Sequence, residues 1–157
     1  MKTLITGANG MLARAAADYC SSVGDDVVAL ARQDLDIADR DAVRRKFADV
    51  KPDIVLNCAA YTNVDGAESN VDLAYQANSI GPENLAIVCR EFGTKLVTVS
   101  TDYVFDGEKG EPYVDTDEPN PLGVYATIKF EGEKRVAAAN LDAIIVRSGW
   151  MNPGSLM

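Results

Sequence analysis

The stretch TGANGMLA, residues 6–13, joins a short apolar run, KTLIT, to a longer pattern of the helical kind. Its Gly7, Gly10 and Ala13 follow a G-x-x-G-x-x-A spacing. Glycines let the backbone turn sharply and approach a pyrophosphate, which the free N–H groups and the dipole of the next helix favour. A glycine turn alone is weak evidence, because glycine also serves any tight strand–helix connection. The strand before it and the helix after it make a dinucleotide-binding turn the better prediction.

Short apolar runs and helical patterns alternate along the rest of the chain. The runs predict strands at residues 2–6, 26–30, 53–57, 95–100 and 142–147. Helices are predicted at about 10–23, 39–49, 67–91 and 125–140, with a break near 78–82 allowed in the third. Almost uninterrupted apolar strands are expected of a parallel sheet covered on both faces. The sequence therefore predicts one α/β domain over residues 1–157, with a doubly wound, mostly parallel Rossmann-type sheet and helices on both faces.

The composition excludes several kinds of chemistry. The 157 residues include no histidine, which rules out Ser-His-Asp catalysis and histidine-ligated zinc. Cys20, Cys58 and Cys89 are odd in number and stand in apolar contexts, so we interpret them as buried free thiols rather than as disulfides or a metal site. A net charge of −9 with scattered Lys and Arg argues against a nucleic acid as partner. No apolar segment approaches the length of a membrane span, and the opening residues do not predict a secretory signal, so a cytoplasmic protein is expected.

The residues after the second predicted strand, LARQDLDI (30–37), bear on which cofactor binds. Domains that bind NAD place an acid here for the adenosine ribose, whereas an arginine can receive the 2′-phosphate of NADP. Ala31 offers no carboxylate and Arg32 offers a guanidinium, so NADPH is favoured over NADH. The alternative is that Arg32 is a solvated loop charge. Asp36 and Ile37 come next and could flank the adenine.

Of the six tyrosines, only Tyr125 is followed four residues later by a lysine, Lys129, in the stretch YATIK. In a helix that spacing places both side chains on one face. An ammonium beside a phenol stabilises the phenolate and lowers the pKa of the phenol, which suits proton transfer near neutral pH. Isolated pairs of this kind are more often a solvated helix surface. The glycine turn, the hydroxyls of Ser100 and Thr101 after the fourth strand, and the lack of histidine favour proton chemistry here.

Five stretches together resemble the extended short-chain dehydrogenase/reductase superfamily, namely TGANGML, NCAAYTNVDGAES, STDYVFDG, YATIK and RSGW. Within it they are similar to the branch of dTDP-4-dehydrorhamnose reductases. The resemblance implies NADPH-dependent reduction of the 4-keto group of a nucleotide-linked 6-deoxy sugar, from dTDP-4-dehydrorhamnose to dTDP-L-rhamnose. NADH is kept as a second cofactor, and the partner implied is the nucleotide-sugar substrate.

The resemblance also implies a role for each matching residue. Tyr125 would protonate the nascent alkoxide as hydride arrives from the nicotinamide. Lys129 would hold the nicotinamide ribose and tune Tyr125, and Thr101 would hydrogen-bond the sugar oxygen. Substrate contacts are implied at Thr101, Asp102 and Trp150. The implied cofactor contacts are Gly10, Met11, Leu12, Asp36, Ile37, Ala60, Tyr61, Thr62, Tyr125 and Lys129, and Gly7, Arg32 and Ser100 join this set from the patterns above.

Members of this superfamily branch continue well beyond the length of this chain, so we expect the C-terminal substrate portion to be missing from it. Two alternatives to a reductase stay open. One is a truncated or regulatory NADP-binding module without turnover. The other is a nucleotide-sugar epimerase or dehydratase, which Arg32 and STDYVFDG disfavour.

A homodimer and a role for Mg²⁺ are also left open. Four acidic side chains near the loop before YATIK could in principle bind a metal, namely Glu111, Asp115, Asp117 and Glu118. A solvated acidic surface is the simpler interpretation of such a group, so no metal site is assigned.

Overall fold

The computed structural model describes residues 1–151 and contains a five-stranded sheet in which every pairing is parallel. In chain order the strands are β1 (Lys2–Thr6), β2 (Asp26–Leu30), β3 (Ile54–Asn57), β4 (Lys95–Thr101) and β5 (Ile144–Ser148). Across the sheet their order is β2-β1-β3-β4-β5. The chain changes direction across the sheet between β1 and β3, and ligands of open α/β sheets bind beyond such a point. The predicted doubly wound, Rossmann-type α/β fold is confirmed.

The helices between the strands are α1 (Met11–Ser22), α2 (Arg40–Val50), α3 (Val64–Ala67), α4 (Val71–Tyr75), α5 (Gly81–Phe92) and α6 (Gly123–Ala139). A π-helical turn, Gln76–Ile80, joins α4 to α5, and a 3₁₀ turn, Asp102–Val104, follows β4. The sequence allows a break near residues 78–82 in the third predicted helix. No break occurs there, because the backbone stays helical through the π turn. Pro82 then lies in the first turn of α5, where its missing N–H is tolerated.

The last strand begins at Ile144 rather than at Asp142 as predicted. Asn140 ends α6, and its side-chain oxygen accepts the N–H of Asp142 at 3.1 Å. The N–H of Ala143 is bonded to the Asn140 carbonyl at 3.2 Å. These two residues therefore form the turn into β5, and their N–H groups are not free to join the sheet.

Helix α1 lies on one face of the sheet, and α2, α5 and α6 lie on the other. Right-handed crossovers that run in opposite directions across a sheet place their helices on opposite faces. The face of α2, α5 and α6 carries the main core, which is built on Leu4, Val55, Leu96, Phe47, Leu85, Val88 and Val136. On the opposite face α1 contacts β1 and β2, while Ile144 and Val146 of β5 are 58% and 42% exposed. Among the described residues, no helix is both long and apolar enough to cross a membrane.

A row of buried polar side chains crosses the sheet near the carboxyl ends of three strands. The Thr6 hydroxyl donates to Asn57 Oδ1 at 2.7 Å, and the Asn57 amide donates to Thr98 Oγ1 at 2.9 Å. The three residues are also register partners in β1, β3 and β4. The row aligns these strands, and the loops that follow them open toward one rim of the sheet.

Candidate active site

Two adjoining clefts lie beyond the carboxyl ends of the strands, each of about 450 Å³. The first, here the glycine cleft, is lined by Gly7, Arg32, Asp36, Ile37 and Tyr61. The second, here the tyrosine cleft, is lined by Met11, Leu12, Ser100, Thr101, Asp102, Tyr125, Lys129 and Trp150. Both clefts share Gly10, Cys58, Ala59, Ala60 and Thr62. The structure thus brings every predicted site residue to one of two connected clefts, and the roles of these residues stay predictions.

The turn after β1 is shaped to bring backbone close to a bound anion. Gly7 has a φ of +73°, and a Cβ there would lie 2.8 Å from the backbone of Ala59 after β3, so a larger residue meets both strain and a clash. Gly10 is the N-cap of α1 and supplies no side-chain cap, and the first turn has no acidic residue. The N–H groups of that turn are therefore available to a phosphate group, and a dinucleotide cofactor fits this donor set.

The opposite end of the glycine cleft carries the residues predicted to select the cofactor. Arg32 and Asp36 approach one another to 3.7 Å, and both side chains are exposed. An ion pair of this kind is weak, so Arg32 stays available to a ligand. Ile37 lines the cleft but is 5% exposed and packs closely on Gly81, whose added Cβ would lie 2.5 Å from Ile37 Cγ1. The predicted contact between Ile37 and an adenine therefore involves little of this side chain.

Helix α6 carries both Tyr125 and Lys129 and begins two positions before the predicted start, at Gly123. Gly123 has a φ of +79°, and the N–H of Val124 donates to Glu68 Oε1 at 2.9 Å. Leu122, the N-cap, makes no side-chain cap. Glu68, directly after α3, thus caps the N-terminus of α6 although it is far away in sequence. Tyr125 lies in the first turn of the helix that this contact caps.

Lys129 is buried, with 6% of its surface exposed. Its Nζ donates to the carbonyl of Val99 in β4 at 2.8 Å. Burial lowers the pKa of Lys129 to about 8, and the charge of Glu133 acts in the opposite direction. The lysine therefore titrates within reach of physiological pH, which a solvated lysine does not.

Tyr125 is partly buried, and its ring meets the ring of Tyr103 edge to face, with centroids 6.2 Å apart. Burial raises the pKa of Tyr125, and Tyr103 and Asp102 act in the same direction. The prediction that the Lys129 ammonium lowers this pKa is therefore wrong for this structure. The ammonium is bound to the Val99 carbonyl, and the surroundings of the phenol favour its neutral form. A neutral phenol is the form that donates a proton.

The hydroxyls predicted after β4 have different surroundings. Thr101 Oγ1 accepts the N–H of Tyr103 at 3.2 Å and donates to Asp102 Oδ1 at 3.3 Å, so it also caps the 3₁₀ turn. Ser100 Oγ is buried and, within residues 1–151, has no hydrogen-bond partner. Because an unpaired buried hydroxyl is unfavourable, Ser100 is suited to a polar ligand in the tyrosine cleft.

Trp150 and Asp102 stand at the mouth of the tyrosine cleft. The Trp150 ring is 85% exposed, and its Nε1 donates to the Tyr103 hydroxyl at 3.2 Å. A Cβ on Gly149 would lie 2.9 Å from Asp102 Oδ2, so Gly149 passes close to the carboxylate of this exposed side chain. Both predicted substrate contacts are therefore accessible from the cleft.

Residues of the π turn bind the segment after β3 and helix α6, and sequence reasoning did not find them. The amide of Asn78 donates to the Tyr61 carbonyl at 2.9 Å and accepts the Tyr61 N–H at 2.8 Å. Ser79 donates to the carbonyl of Ile128 in α6 at 2.7 Å. A Cβ on Gly132 would collide with the Asn78 carbonyl, so α6 approaches the π turn at backbone distance. The one sequence signal at this place, Pro82, suggested a break in the helix instead of this contact.

The long loop between β4 and α6 is ordered by its own polar groups. Asp106 accepts the N–H of Glu108 at 3.0 Å, the amide of Asn120 at 2.9 Å and the hydroxyl of Tyr113 at 2.8 Å. These bonds lower the pKa of Asp106 to about 2. Asp117 accepts from Lys109 at 2.7 Å. No group of three or more His, Cys, Asp or Glu that could hold a metal occurs in the described part of the chain.

The parallel sheet, the glycine turn and the Tyr–Lys helix define a Rossmann-type domain of the extended short-chain dehydrogenase/reductase kind. A family model described as the RmlD substrate binding domain matches residues 1–155. The chain belongs to this family.

Relatives of known name support this assignment. A dTDP-4-dehydrorhamnose reductase of Mycobacterium tuberculosis is 45% identical over 98% of this chain and 51% of its own length. The crystal structure of such a reductase from Clostridium acetobutylicum has a TM-score of 0.94 and 47% identity, over 97% of this chain and 54% of its own. A third, from Bacillus anthracis in complex with NADP, has a TM-score of 0.92 and 38% identity, over 97% and 55%. The chain therefore spans about half the length of the relatives it matches.

Proposed function

We propose that this chain carries the NADPH-binding and proton-donating part of a reductase. The substrate would be the 4-keto group of a nucleotide-linked 6-deoxy sugar, as in the conversion of dTDP-4-dehydrorhamnose to dTDP-L-rhamnose. The single observation that carries the proposal is that Tyr125, Lys129 and Thr101 line a cleft continuous with the glycine turn. The names of the relatives, one of them in complex with NADP, support the same reaction.

Several residues of this chain would hold the cofactor, which supplies the hydride when bound. The first turn of α1, at Gly10 and Met11, would receive the pyrophosphate. Arg32 would bind the 2′-phosphate that distinguishes NADPH from NADH. Lys129 would donate to the nicotinamide ribose, and Ser100 offers a buried hydroxyl beside it.

Tyr125 would donate its proton to the carbonyl oxygen as that oxygen becomes an alkoxide. The raised pKa of Tyr125 keeps the phenol protonated before the reaction, which is the state that reduction requires. Thr101 would hydrogen-bond the same oxygen and orient it toward Tyr125. Asp102 and Trp150, at the mouth of the cleft, would contact the sugar nucleotide. A cytoplasmic location stays a prediction, and a homodimer and a role for Mg²⁺ stay open.

The test mixes the 157-residue chain with NADPH and freshly prepared dTDP-4-keto-6-deoxy sugar and follows the nicotinamide absorbance. Consumption of NADPH in proportion to the sugar reduced is the expected result. Binding of NADPH, seen by fluorescence, without any oxidation would instead support a binding module without turnover. Conversion of the sugar without net NADPH consumption would support an epimerase or dehydratase. A chain that binds no NADPH would contradict both the reductase and the NADP-binding module.

A further inference from the structure

A third ionisable residue, Glu133, lies further along α6 on the same face as Tyr125 and Lys129. Glu133 follows Lys129 by four residues, so its side chain projects from the same face of the helix. It is 7% exposed, which is unusual for a carboxylate. None of the roles assigned above to the tyrosine cleft uses it.

Arg147 of β5 holds the Glu133 carboxylate in place. Its Nε donates to both carboxylate oxygens at 3.1 Å, and its Nη2 donates to Oε2 at 2.7 Å. The guanidinium itself is placed by the ring of Phe105, whose centroid lies 5.0 Å from Arg147 Cζ. The carboxylate is therefore fixed in one orientation by an arginine that cannot lose its charge.

A small cavity beneath the tyrosine cleft is lined by both Lys129 and Glu133, together with Asn78 and Ser100. Other titratable and charged groups line this cavity, the tyrosine cleft or the cleft beside Arg147, namely Cys58 after β3, Asp102 and Tyr103 after β4, Tyr113 and Asp115 of the long loop, Tyr125 on α6 and Arg147 on β5. Cys58 is held neutral because burial raises its pKa to about 11. Glu133 is the group whose charge opposes the effect of burial on Lys129.

We propose that Glu133, oriented by Arg147, is a positioning residue that serves as the buried counter-charge of Lys129 and keeps its ammonium protonated. The inference rests on the proposed function, in which that ammonium holds the nicotinamide ribose. Removal of Lys129 from water favours the neutral amine, and a fixed carboxylate on the same helix face offsets that tendency. An ion pair with a purely structural role would hold α6 against β5 and supply no counter-charge to Lys129.

The deciding measurement is the titration of Lys129 itself, followed by NMR on the 157-residue chain with ¹³C-labelled lysine side chains. Lys129→Met identifies the signal. In Glu133→Gln we expect the Lys129 titration to move to lower pH by about one unit. Glu133→Asp keeps the carboxylate and should restore much of the shift. Glu131→Gln, which removes an acid from the same helix that pairs with Lys134 and Arg135, should leave the titration unchanged.

The direction of the shift separates the two explanations. If Glu133 only held the structure together, its loss would loosen the site, admit water and raise the pKa of Lys129 toward that of a solvated lysine. A shift to higher pH in Glu133→Gln, or no shift, would overturn the proposal. Circular dichroism checks that each variant is folded.

NADPH binding tests the proposed function separately. We expect NADPH affinity to weaken as the pH rises and Lys129 loses its charge, and this loss should begin about one unit lower in Glu133→Gln. If the NMR titration shifts as expected but NADPH affinity does not follow it, Glu133 is the counter-charge of Lys129. The assignment of Lys129 to the nicotinamide ribose would then be the part that fails.

Discussion

The glycine cleft and the tyrosine cleft adjoin one another but are built differently. In the glycine cleft, Gly7 contributes backbone atoms rather than a side chain, and the side chains of Arg32 and Asp36 are 70% and 50% exposed. At the tyrosine cleft and the small cavity beneath it, Lys129 and Glu133 of α6 are 6% and 7% exposed and are fixed by partners on β4 and β5. The exposed side chains of the first can therefore be replaced with limited loss, whereas the second depends on packing across the sheet.

The largest effect is expected from Tyr125→Phe, which removes the proposed proton donor and leaves the ring in place. Turnover should fall about 10³-fold, within the range for loss of a general acid. NADPH affinity should change little, because Lys129 and the glycine turn are untouched. Steady-state NADPH oxidation and a fluorescence titration measure the two effects. Comparable turnover in the variant would remove Tyr125 from the mechanism.

The next largest effect is expected from Gly132→Ala, in the helix that carries Tyr125 and Lys129 of the tyrosine cleft. Alanine gains about 1 kcal/mol of helix propensity over glycine, but its Cβ would collide with the Asn78 carbonyl. Overpacking against backbone costs about 3 kcal/mol, so we expect a net loss of about 2 kcal/mol in the free energy of unfolding. Urea denaturation measures it. Thr127→Ala, on the exposed side of the same helix, is the control and should change stability by less than about 0.5 kcal/mol.

A smaller and more selective effect is expected in the glycine cleft from Arg32→Ala. NADPH affinity should fall about tenfold, or ~1.4 kcal/mol, while NADH affinity changes little, since NADH has no 2′-phosphate. Arg45→Ala is the matched control, because Arg45 is also 70% exposed and paired with an aspartate. Equal losses for both cofactors would show that Arg32 is a bystander. If Arg32→Ala lost more stability than Gly132→Ala, the side chains of the glycine cleft would not be the easier ones to replace.

The smallest effect concerns the loop beside the tyrosine cleft, in Asp106→Asn. The folded state lowers the pKa of Asp106 to about 2, below the value of about 3.9 for a solvated aspartate. The carboxylate therefore stabilises the fold above about pH 4, and this contribution is lost as the pH falls toward 2. We expect the melting temperature of the variant to lie below that of the wild type at neutral pH and to converge with it in acid. Asp115→Asn, which replaces an exposed aspartate of the same loop, is the control and should melt close to the wild type at neutral pH.

Much of the fold and of the glycine cleft could be predicted because their determinants lie close together in the sequence. Each strand is a short apolar run, and the turn after β1 is set by Gly7 and Gly10 within four residues of each other. Such features depend on local conformational preferences and on hydrophobic periodicity, both of which a single sequence displays. The same holds for the four-residue spacing of Tyr125 and Lys129.

The remainder of the tyrosine cleft depends on contacts between distant parts of the chain. Glu68 caps α6 across 56 positions, and Asn78 binds Tyr61 from the π turn. Nothing in the spacing of Glu133 and Arg147 marks them as partners. The direction of the Tyr125 pKa was also mispredicted, because a helical spacing does not show that Lys129 is bound to the Val99 carbonyl.

The hydrogen-bonded row of Thr6, Asn57 and Thr98 also disfavours misaligned pairing of β1, β3 and β4 during folding. If one of the three strands slipped by a single residue, its side chains would exchange faces of the sheet. A slip of β3 would then break both short hydrogen bonds, and a slip of β1 or β4 would break one of them. Each buried polar group left without a partner costs about 1–3 kcal/mol. Apolar contacts alone tolerate some sliding, whereas these amide and hydroxyl groups accept one alignment. The free-energy cost of misaligned strands thus arises near the carboxyl ends of β1, β3 and β4, next to the residues that line both clefts.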